Sequence, residues 1–192
     1  MSTSLVDTVR YELQSSVFTH DCPEQDSARL SMLEYVSKFG ADAIHRSPRA
    51  VHLTASTFVL NEDGSKILLS LHAKGKFWVQ FGGHIEAQDK SLSEAALREL
   101  REESGLADVE LAMQAPVEFD AHELSNNFGA CRRHLDVGYL AIVSDSLPFG
   151  ASSESESVEW WPTSGLPATS ANGLDQRLSR VLEVSARIRE QM

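Results

Sequence analysis

The sequence predicts an α/β fold in which helices pack on a mixed β-sheet, with a helical extension in front of it. β-rich runs begin at His52 and recur as far as residue 161. An amphipathic helix that starts at Ser91 interrupts them, and helical patterns occupy residues 3–39 and 174–188. Strands on both sides of a central helix are typical of a mixed sheet covered by helices.

The N-terminal extension is predicted to span residues 1–48 and the main domain residues 49–192. Two apolar stripes at helical spacing indicate two helices, and Pro23 and Gly40 suit the start and the end of the second. Turn and breaker residues at 43–50 mark the domain boundary. The stripes consist of Leu5, Val9 and Leu13, then Leu30, Leu33, Val36 and Phe39.

The β-rich runs predict the strands of the sheet. Residues 52–61 and 66–73 are joined by Glu-Asp-Gly-Ser, which is a good hairpin connection. Residues 77–81 form a third short strand that runs directly into Gly82 and Gly83. Later strands are predicted at 109–124, 134–144 and 158–161, the last after a Ser/Glu-rich loop at 152–157.

The central helix carries three carboxylates on one face. A capping box at Ser91–Glu94 begins this helix, and Gly105 ends it. Glu99, Glu102 and Glu103 are spaced i, i+3 and i+4, so they share a face. Their charges repel one another, and a divalent cation, which prefers oxygen ligands, would remove that repulsion. The pattern predicts a metal-binding catalytic helix introduced by a glycine turn.

Composition and charge narrow the classes of function. The 192-residue chain has a formal net charge of −11 and a pI near 5.0, which disfavours broad binding to nucleic acids or anionic membranes. Cys22 and Cys131 show neither a pairing pattern nor metal-ligand spacing. The sequence shows no signal-peptide pattern and no run near the roughly 20 apolar residues of a membrane span. We therefore expect a cytoplasmic protein with reduced thiols.

Residues 98–106, RELREESGL, resemble the core of the Nudix box, GX5EX7REUXEEXGU, in which U is a bulky aliphatic residue. Gly82, Gly83 and Glu86 match the loop that usually precedes the helix of the box. The motif is long and position-specific. The resemblance extends over about residues 50–190.

The loop before the helix departs from the box by one position. Counting back strictly from Arg98 puts Lys90 where the box has its first glutamate, and His84 where it has glycine. One extra residue in this loop restores Gly83 and places Asp89 at the acidic position. We favour that insertion because loops before helices tolerate changes of length.

The resemblance implies a Nudix-type α/β/α sandwich and a hydrolase. Nudix enzymes cleave nucleoside diphosphates linked to another moiety by attack of water on phosphorus, assisted by Mg²⁺ or Mn²⁺. By resemblance, the ions are held by the carbonyl of Gly83 and by Glu99, Glu102 and Glu103. One of these glutamates, or another from a later loop, would be the general base. Arg98 would orient the carboxylates through its planar guanidinium group.

Six further residues are predicted at the substrate cleft. His134 and Asp136 alternate on a strand and so face the same side, and a subgroup of the family has a similar His-x-Asp. Each residue has a structural alternative, such as core packing for Trp78 or a solvated loop for the glutamates. The set consists of His84, Trp78, His134, Asp136, Glu154 and Glu156.

Other interpretations of the sequence remain open. The charged helix could be a solvated surface helix, and the fold could serve a non-catalytic nucleotide-sensing module. An enzyme of the isopentenyl-diphosphate isomerase type needs a cysteine near its substrate, and neither Cys22 nor Cys131 lies in a context typical of that group. The expected partner is a small nucleotide diphosphate derivative, without nucleic acid or membrane. The N-terminal helices could cover the sheet, line the pocket or form a homodimer interface.

Overall fold

A computed structural model describes residues 4–15, 22–124, 130–152 and 155–190 of the chain. Within these ranges it contains five helices and seven strands. The helices are α1 (Leu5–Gln14), α2 (Pro23–Phe39), α3 (Ala41–Ile44), α4 (Leu92–Ser104) and α5 (Leu174–Arg189). The strands are β1 (Val51–Asn61), β2 (Lys66–His72), β3 (Trp78–Val79), β4 (Phe81–His84), β5 (Glu118–Glu123), β6 (Arg133–Val143) and β7 (Ser155–Pro162). None of the described helices is long and apolar enough to span a membrane.

The strands form one mixed sheet. Its central order is β3-β2-β1-β6-β5, and β4 pairs with β1 while β7 pairs with β2. β1 and β6 run parallel along their whole length, whereas the other strand pairs are antiparallel. The predicted mixed sheet is therefore confirmed.

Alternation along β1 produces two apolar faces. Leu53 and Ala55 pack in one core cluster with α1, α2 and α4, and we call this side the α4 face. Phe58 and Leu60 pack with α5 on the other side, the α5 face. Because successive strand residues point to opposite sides, each face has its own helical cover. The architecture is the α/β/α sandwich that the sequence predicted.

Two predicted strands have different bounds in the structure. Trp78–Val79 pairs with β2 and Phe81–His84 pairs with β1, so the strand predicted at 77–81 changes partner at Gln80 and is two strands. The strand predicted at 109–124 is reduced to β5. Pro116 explains this reduction, since it has no backbone N–H to donate to a ladder.

Two other predicted boundaries also change. β7 begins at Ser155, inside the loop predicted at 152–157, because Ser155 and Ser157 already pair with β2. The helical segment predicted at 3–39 contains α1 and α2, and its residues 3 and 16–21 lie outside the described residues.

The N-terminal helices share a core with the rest of the chain. Val9 of α1 and Val36 of α2 lie in the same apolar cluster as Leu53 of β1 and Leu92 of α4. Arg49, in the segment before β1, lies over the ring of Phe39, 3.7 Å from its centroid. The domain boundary near residue 48 stays a prediction.

A buried glutamate of α1 caps the central helix. Both carboxylate oxygens of Glu12 accept backbone hydrogen bonds, from Leu92 at 2.7 Å and from Ser93 at 3.0 Å. The Ser91 hydroxyl accepts a third, from the N–H of Glu94 at 2.9 Å. These groups are among the four N–H groups at a helix start that have no partner within the helix, and a negative charge there also interacts favourably with the positive end of the helix dipole. The predicted serine cap is thus confirmed, and α1 completes it.

Replacement of Glu12 tests this cap. Glu12→Gln should lower the free energy of unfolding by about 2 kcal/mol, because it removes the charge and one acceptor from two buried N–H groups. Urea unfolding followed by circular dichroism measures the change. Glu34→Gln alters an exposed side chain of α2 and should change the stability by less than about 0.5 kcal/mol. Equal effects of the two substitutions would contradict the capping role.

Candidate active site

Gly82 and Gly83, predicted as a turn in front of α4, instead lie within strand β4, where both β1 and α4 approach this glycine pair closely. Gly82 has φ 155°, a conformation that L side chains rarely adopt, and a Cβ there would lie 2.6 Å from Cα of Ser56. A Cβ on Gly83 would lie 2.7 Å from the carboxylate of Glu99. The two glycines therefore let the carboxylates of α4 lie directly against the backbone of β4.

The same glycine pair also fixes the carboxylate of Glu103. One of its oxygens accepts a hydrogen bond from the backbone N–H of Gly82 at 3.1 Å.

The C-terminal end of α4 is set by Gly105, whose φ of 70° is the left-handed conformation of a helix C-cap. The start and end predicted for this helix are both confirmed.

Arg98 connects α4 to the end of β4 and to the loop that follows it. Its guanidinium group donates to Glu99 at 2.9 Å and to Glu102 at 3.2 Å. It also donates to the backbone carbonyl of His84 at 3.0 Å. Hydrogen bonds from Arg98 to Asp89, followed by those to Glu99, raise the pKa of Arg98 above its usual value despite partial burial. Arg98 thus stays charged and holds two of the three predicted metal ligands.

Asp89 makes the strongest contact with this arginine. It accepts from Nε of Arg98 at 3.0 Å and from Nη2 at 2.9 Å, which is the two-point geometry that suits a carboxylate. Asp89 also accepts a hydrogen bond from the backbone N–H of Glu86 at 2.8 Å, which closes the loop between β4 and α4. The backbone N–H of Lys90 instead donates to Glu94. Asp89 rather than Lys90 therefore pairs with Arg98, and the place of Asp89 as the first acidic residue of the box stays a prediction.

The site is strongly negative and partly open to water. Asp89 and the three glutamates against one guanidinium group leave a formal charge of −3 for this group of five residues. The side chain of Glu99 is 13% exposed and that of Glu102 is 61% exposed. Hard oxygen donors with excess negative charge, one of them seated where a Cβ would otherwise lie, fit a divalent cation such as Mg²⁺.

His84 and His134 lie together on the other face of the sheet. Gly83 faces Glu99, so strand alternation turns the His84 side chain toward the α5 face. Its ring centroid lies 5.3 Å from that of His134. Burial is the main cause that lowers the pKa of His84 to about 4 and that of His134 to about 3. Both imidazoles are neutral at pH 7, and their roles at a substrate stay predictions.

Asp136 belongs to a buried network and not to a direct pair with His134. It accepts hydrogen bonds from Thr54 at 2.7 Å, from Ser56 at 2.6 Å and from Arg177 of α5 at 2.6 Å. Burial alone would raise its pKa, but Arg177 and the two hydroxyl groups outweigh burial and lower it to about 2. These contacts favour the structural alternative for Asp136, because they fasten α5 to the sheet.

The remaining predicted substrate residues lie elsewhere. Trp78 is buried on the α5 face, with its ring centroid 5.3 Å from that of Trp161, so its contacts are those of core packing. Glu156 lies on β7 and forms an ion pair with Lys76. Glu154 lies outside the described residues.

The sequence matches the family model of the NUDIX domain over residues 50–182. The chain belongs to the NUDIX family. Among curated proteins, nothing matches the sequence significantly.

Solved NUDIX structures share the fold. A NUDIX family hydrolase from Clostridium perfringens is 25% identical, with a TM-score of 0.54 over 69% of this chain and 94% of its own. An Ap4A hydrolase from C. elegans is 16% identical, with a TM-score of 0.59 over 70% of this chain and 97% of its own. The NUDIX domain of NrtR from Shewanella oneidensis, solved with ADP ribose, is 20% identical, with a TM-score of 0.56 over 78% of this chain and 97% of its own. The NUDIX domain and the hydrolases among its structural neighbours support a hydrolase that acts on pyrophosphate bonds.

Two residues beside the predicted site were missed from the sequence. His52 and Cys131 lie next to His84 and His134, with donor atoms within 4.8 Å of one another. The parallel register places His52 directly opposite His134. That register depends on which strands pair across the sheet, so the position of His52 along the chain carries no sign of it. Cys131 lies three residues before His134, and this C-x-x-H spacing could have indicated it.

The pair of Asp89 and Arg98 can be tested by a double-mutant cycle in this NUDIX protein. Asp89→Asn should lower the free energy of unfolding by about 2–3 kcal/mol, because it breaks a mostly buried two-point ion pair. Combined with Arg98→Met, it should show a coupling energy of at least about 1 kcal/mol in urea unfolding. Asp108→Asn, at an exposed position, is the control. Additive effects would show that the two side chains do not depend on each other.

Proposed function

We propose that this NUDIX hydrolase cleaves the pyrophosphate bond of a nucleoside diphosphate linked to another moiety, in a reaction that depends on Mg²⁺ or Mn²⁺. The observation that carries the proposal is the Glu99 carboxylate seated against Gly83, where a side chain on residue 83 would otherwise lie. A helix that only packed on the sheet would not require this approach of a charged group to a backbone.

The substrate class is supported by the chemistry of the structural neighbours. The C. elegans protein is an Ap4A hydrolase, and the NrtR domain was solved with ADP ribose. Both compounds contain adenosine joined to a second moiety through a chain of phosphates. We extend that shared chemistry to this chain, without choosing the base or the second moiety.

The proposed metal ligands are the carbonyl of Gly83 and the carboxylates of Glu99, Glu102 and Glu103. When bound, a divalent ion offsets the charge that builds on phosphoryl oxygens and acidifies a bound water. The protein's own part is to orient the ligands beforehand. Arg98 fixes Glu99 and Glu102, and the Gly82 N–H fixes Glu103, so little reorganisation accompanies catalysis.

The general base is to be found among the three glutamates or in a later loop. The side chain of Glu102 is more exposed than that of Glu99, at 61% against 13%, so water reaches its oxygens more easily. A ligand and a base differ in their response to metal. Loss of a ligand raises the Mg²⁺ concentration needed for half-maximal activity, whereas loss of the base lowers kcat even at saturating Mg²⁺.

Single glutamate-to-glutamine variants test the site. Glu99→Gln and Glu103→Gln should each lower kcat/KM by at least about 100-fold at limiting Mg²⁺, because each removes a charged metal ligand. The assay follows phosphorylated products from ADP-ribose, dinucleoside polyphosphates and nucleoside triphosphates while Mg²⁺ is varied. Glu110→Gln, at an exposed position beyond the helix, is the control and should keep wild-type activity.

Near wild-type rates in both variants would refute the metal-site assignment. Tight binding of a nucleotide in Mg²⁺ by the wild-type protein, without turnover of any compound, would favour the sensing module over the hydrolase.

Gly83→Ala separates the proposed site from general stability. The new Cβ would lie 2.7 Å from the carboxylate at the end of the Glu99 side chain, so the carboxylate must move while the backbone needs little adjustment. We expect activity to fall about 100-fold and the unfolding free energy to change by less than about 1 kcal/mol. Gly150→Ala, where a Cβ meets nothing within 4 Å, should leave both unchanged. Full activity in Gly83→Ala would contradict the placement of Glu99.

A further inference from the structure

Three imidazoles and a thiol converge at one edge of the α5 face. His52 comes from β1, His84 from the end of β4 and His134 from the start of β6. Cys131 lies just before β6 and is 2% exposed. We call these four residues the histidine-cysteine cluster. The sheet itself brings them together, since β1 pairs with both β4 and β6.

The three rings form a nearly equilateral triangle. The centroid of the His52 ring lies 5.1 Å from that of His84 and 5.1 Å from that of His134, and the third side is 5.3 Å. The sulfur of Cys131 lies 3.9 Å from Nε2 of His84. One donor atom from each of the four residues lies within 4.8 Å of the others.

The inner atoms of the cluster have unmet bonding capacity. Nε2 of His52 and Nε2 of His134 are buried and have no hydrogen-bond partner among the described residues. His52 is 0% exposed, so bulk solvent does not reach its nitrogen. A buried polar atom without a partner is costly, and a bound ligand is a common reason why such an atom is kept.

The tautomer of His52 leaves its inner nitrogen ready to bind a cation. Nδ1 of His52 lies 3.2 Å from the carbonyl oxygen of Arg49, which can only accept, so Nδ1 carries the proton. Nε2 of the neutral ring then presents a lone pair to the cluster. Metal-binding histidines usually donate their second ring N–H to a carbonyl or carboxylate in this way.

We propose that His52, His84, Cys131 and His134 bind one Zn²⁺ ion. Three nitrogen donors and one sulfur donor suit zinc, whereas Mg²⁺ and Ca²⁺ require oxygen. Zinc bonds of about 2.0–2.3 Å give a tetrahedron with edges of about 3.5 Å, so the donor atoms move inward by side-chain rotation when the ion binds. The thiol loses its proton to become the thiolate ligand.

The zinc site is separate from the glutamate site and adjoins it. Glu99 faces Gly83 from the α4 face, while the ring of the next residue, His84, belongs to the cluster on the α5 face. The backbone carbonyl of His84 accepts from Arg98 at 3.0 Å. Four protein ligands leave no open coordination position on the zinc ion. The ion would therefore have a structural role and hold β1, β4 and β6 together next to the glycine pair. The inference concerns metal binding and stands whether or not the proposed reaction is correct.

Cobalt substitution in the full-length protein tests the site directly. After removal of metal with a chelator, Co²⁺ should produce the intense visible bands of tetrahedral cobalt and a near-ultraviolet thiolate-to-cobalt band, and both should saturate at about one equivalent per chain. Zn²⁺ should abolish both bands, whereas excess Mg²⁺ should leave them. Zn²⁺ should also raise the midpoint of thermal unfolding by at least about 5 °C. Absence of the thiolate band, or loss of the bands in Mg²⁺, would overturn the proposal.

Matched cysteine variants assign the sulfur ligand. Cys131→Ser should abolish the thiolate band and weaken Zn²⁺ binding by at least about 100-fold, and Cys22→Ser, outside the cluster, should behave as wild type. His52→Gln should weaken Zn²⁺ binding similarly, with circular dichroism as the check on folding. If Cys131→Ser kept the band and the affinity, the cluster would not be a metal site. Even if both variants failed to fold, the wild-type spectrum alone would decide the question.

Discussion

The geometry of the site depends on the guanidinium group of Arg98. It reaches Asp89 in the preceding loop, Glu99 beside it on α4 and the carbonyl of His84 at the end of β4. Five donors in a plane can serve several acceptors at once, which a lysine ammonium cannot do with the same geometry. Mutual repulsion would otherwise push these negative groups apart. One arginine therefore fixes the loop, the helix and the strand relative to one another before any ligand binds.

Strand alternation explains why two kinds of donor lie so close without mixing. Gly83 faces the carboxylate of Glu99, whereas His84, one residue later, turns its ring toward His52 and His134 on the opposite face. Hard oxygen donors and softer nitrogen and sulfur donors are thus separated by the thickness of one strand. The two groups select different ions, so the proposed hydrolytic metal and the proposed zinc would not compete.

Local features could be predicted from the sequence, and long-range contacts could not. The start of α4 at Ser91 and its end at Gly105 were correct because caps act between near neighbours in the chain. Glu12 was missed as a cap because it lies 80 residues from Leu92, whose backbone N–H donates a hydrogen bond to it. His52 was missed for the same reason, since only the pairing of β1 with β6 brings it to His134. Cys131 lies three residues before His134, and this short spacing is a local sign that the sequence does carry.

The central claim is that the carboxylate face of α4 and the glycine pair of β4 form one divalent-metal site. Anomalous scattering from crystals grown with Mn²⁺ and zinc tests it most directly, because the two metals can be distinguished at their absorption edges. The account predicts manganese between the carbonyl of Gly83 and the carboxylates of Glu99, Glu102 and Glu103, on the α4 face. Manganese found among the histidines on the α5 face, with none at α4, would contradict it.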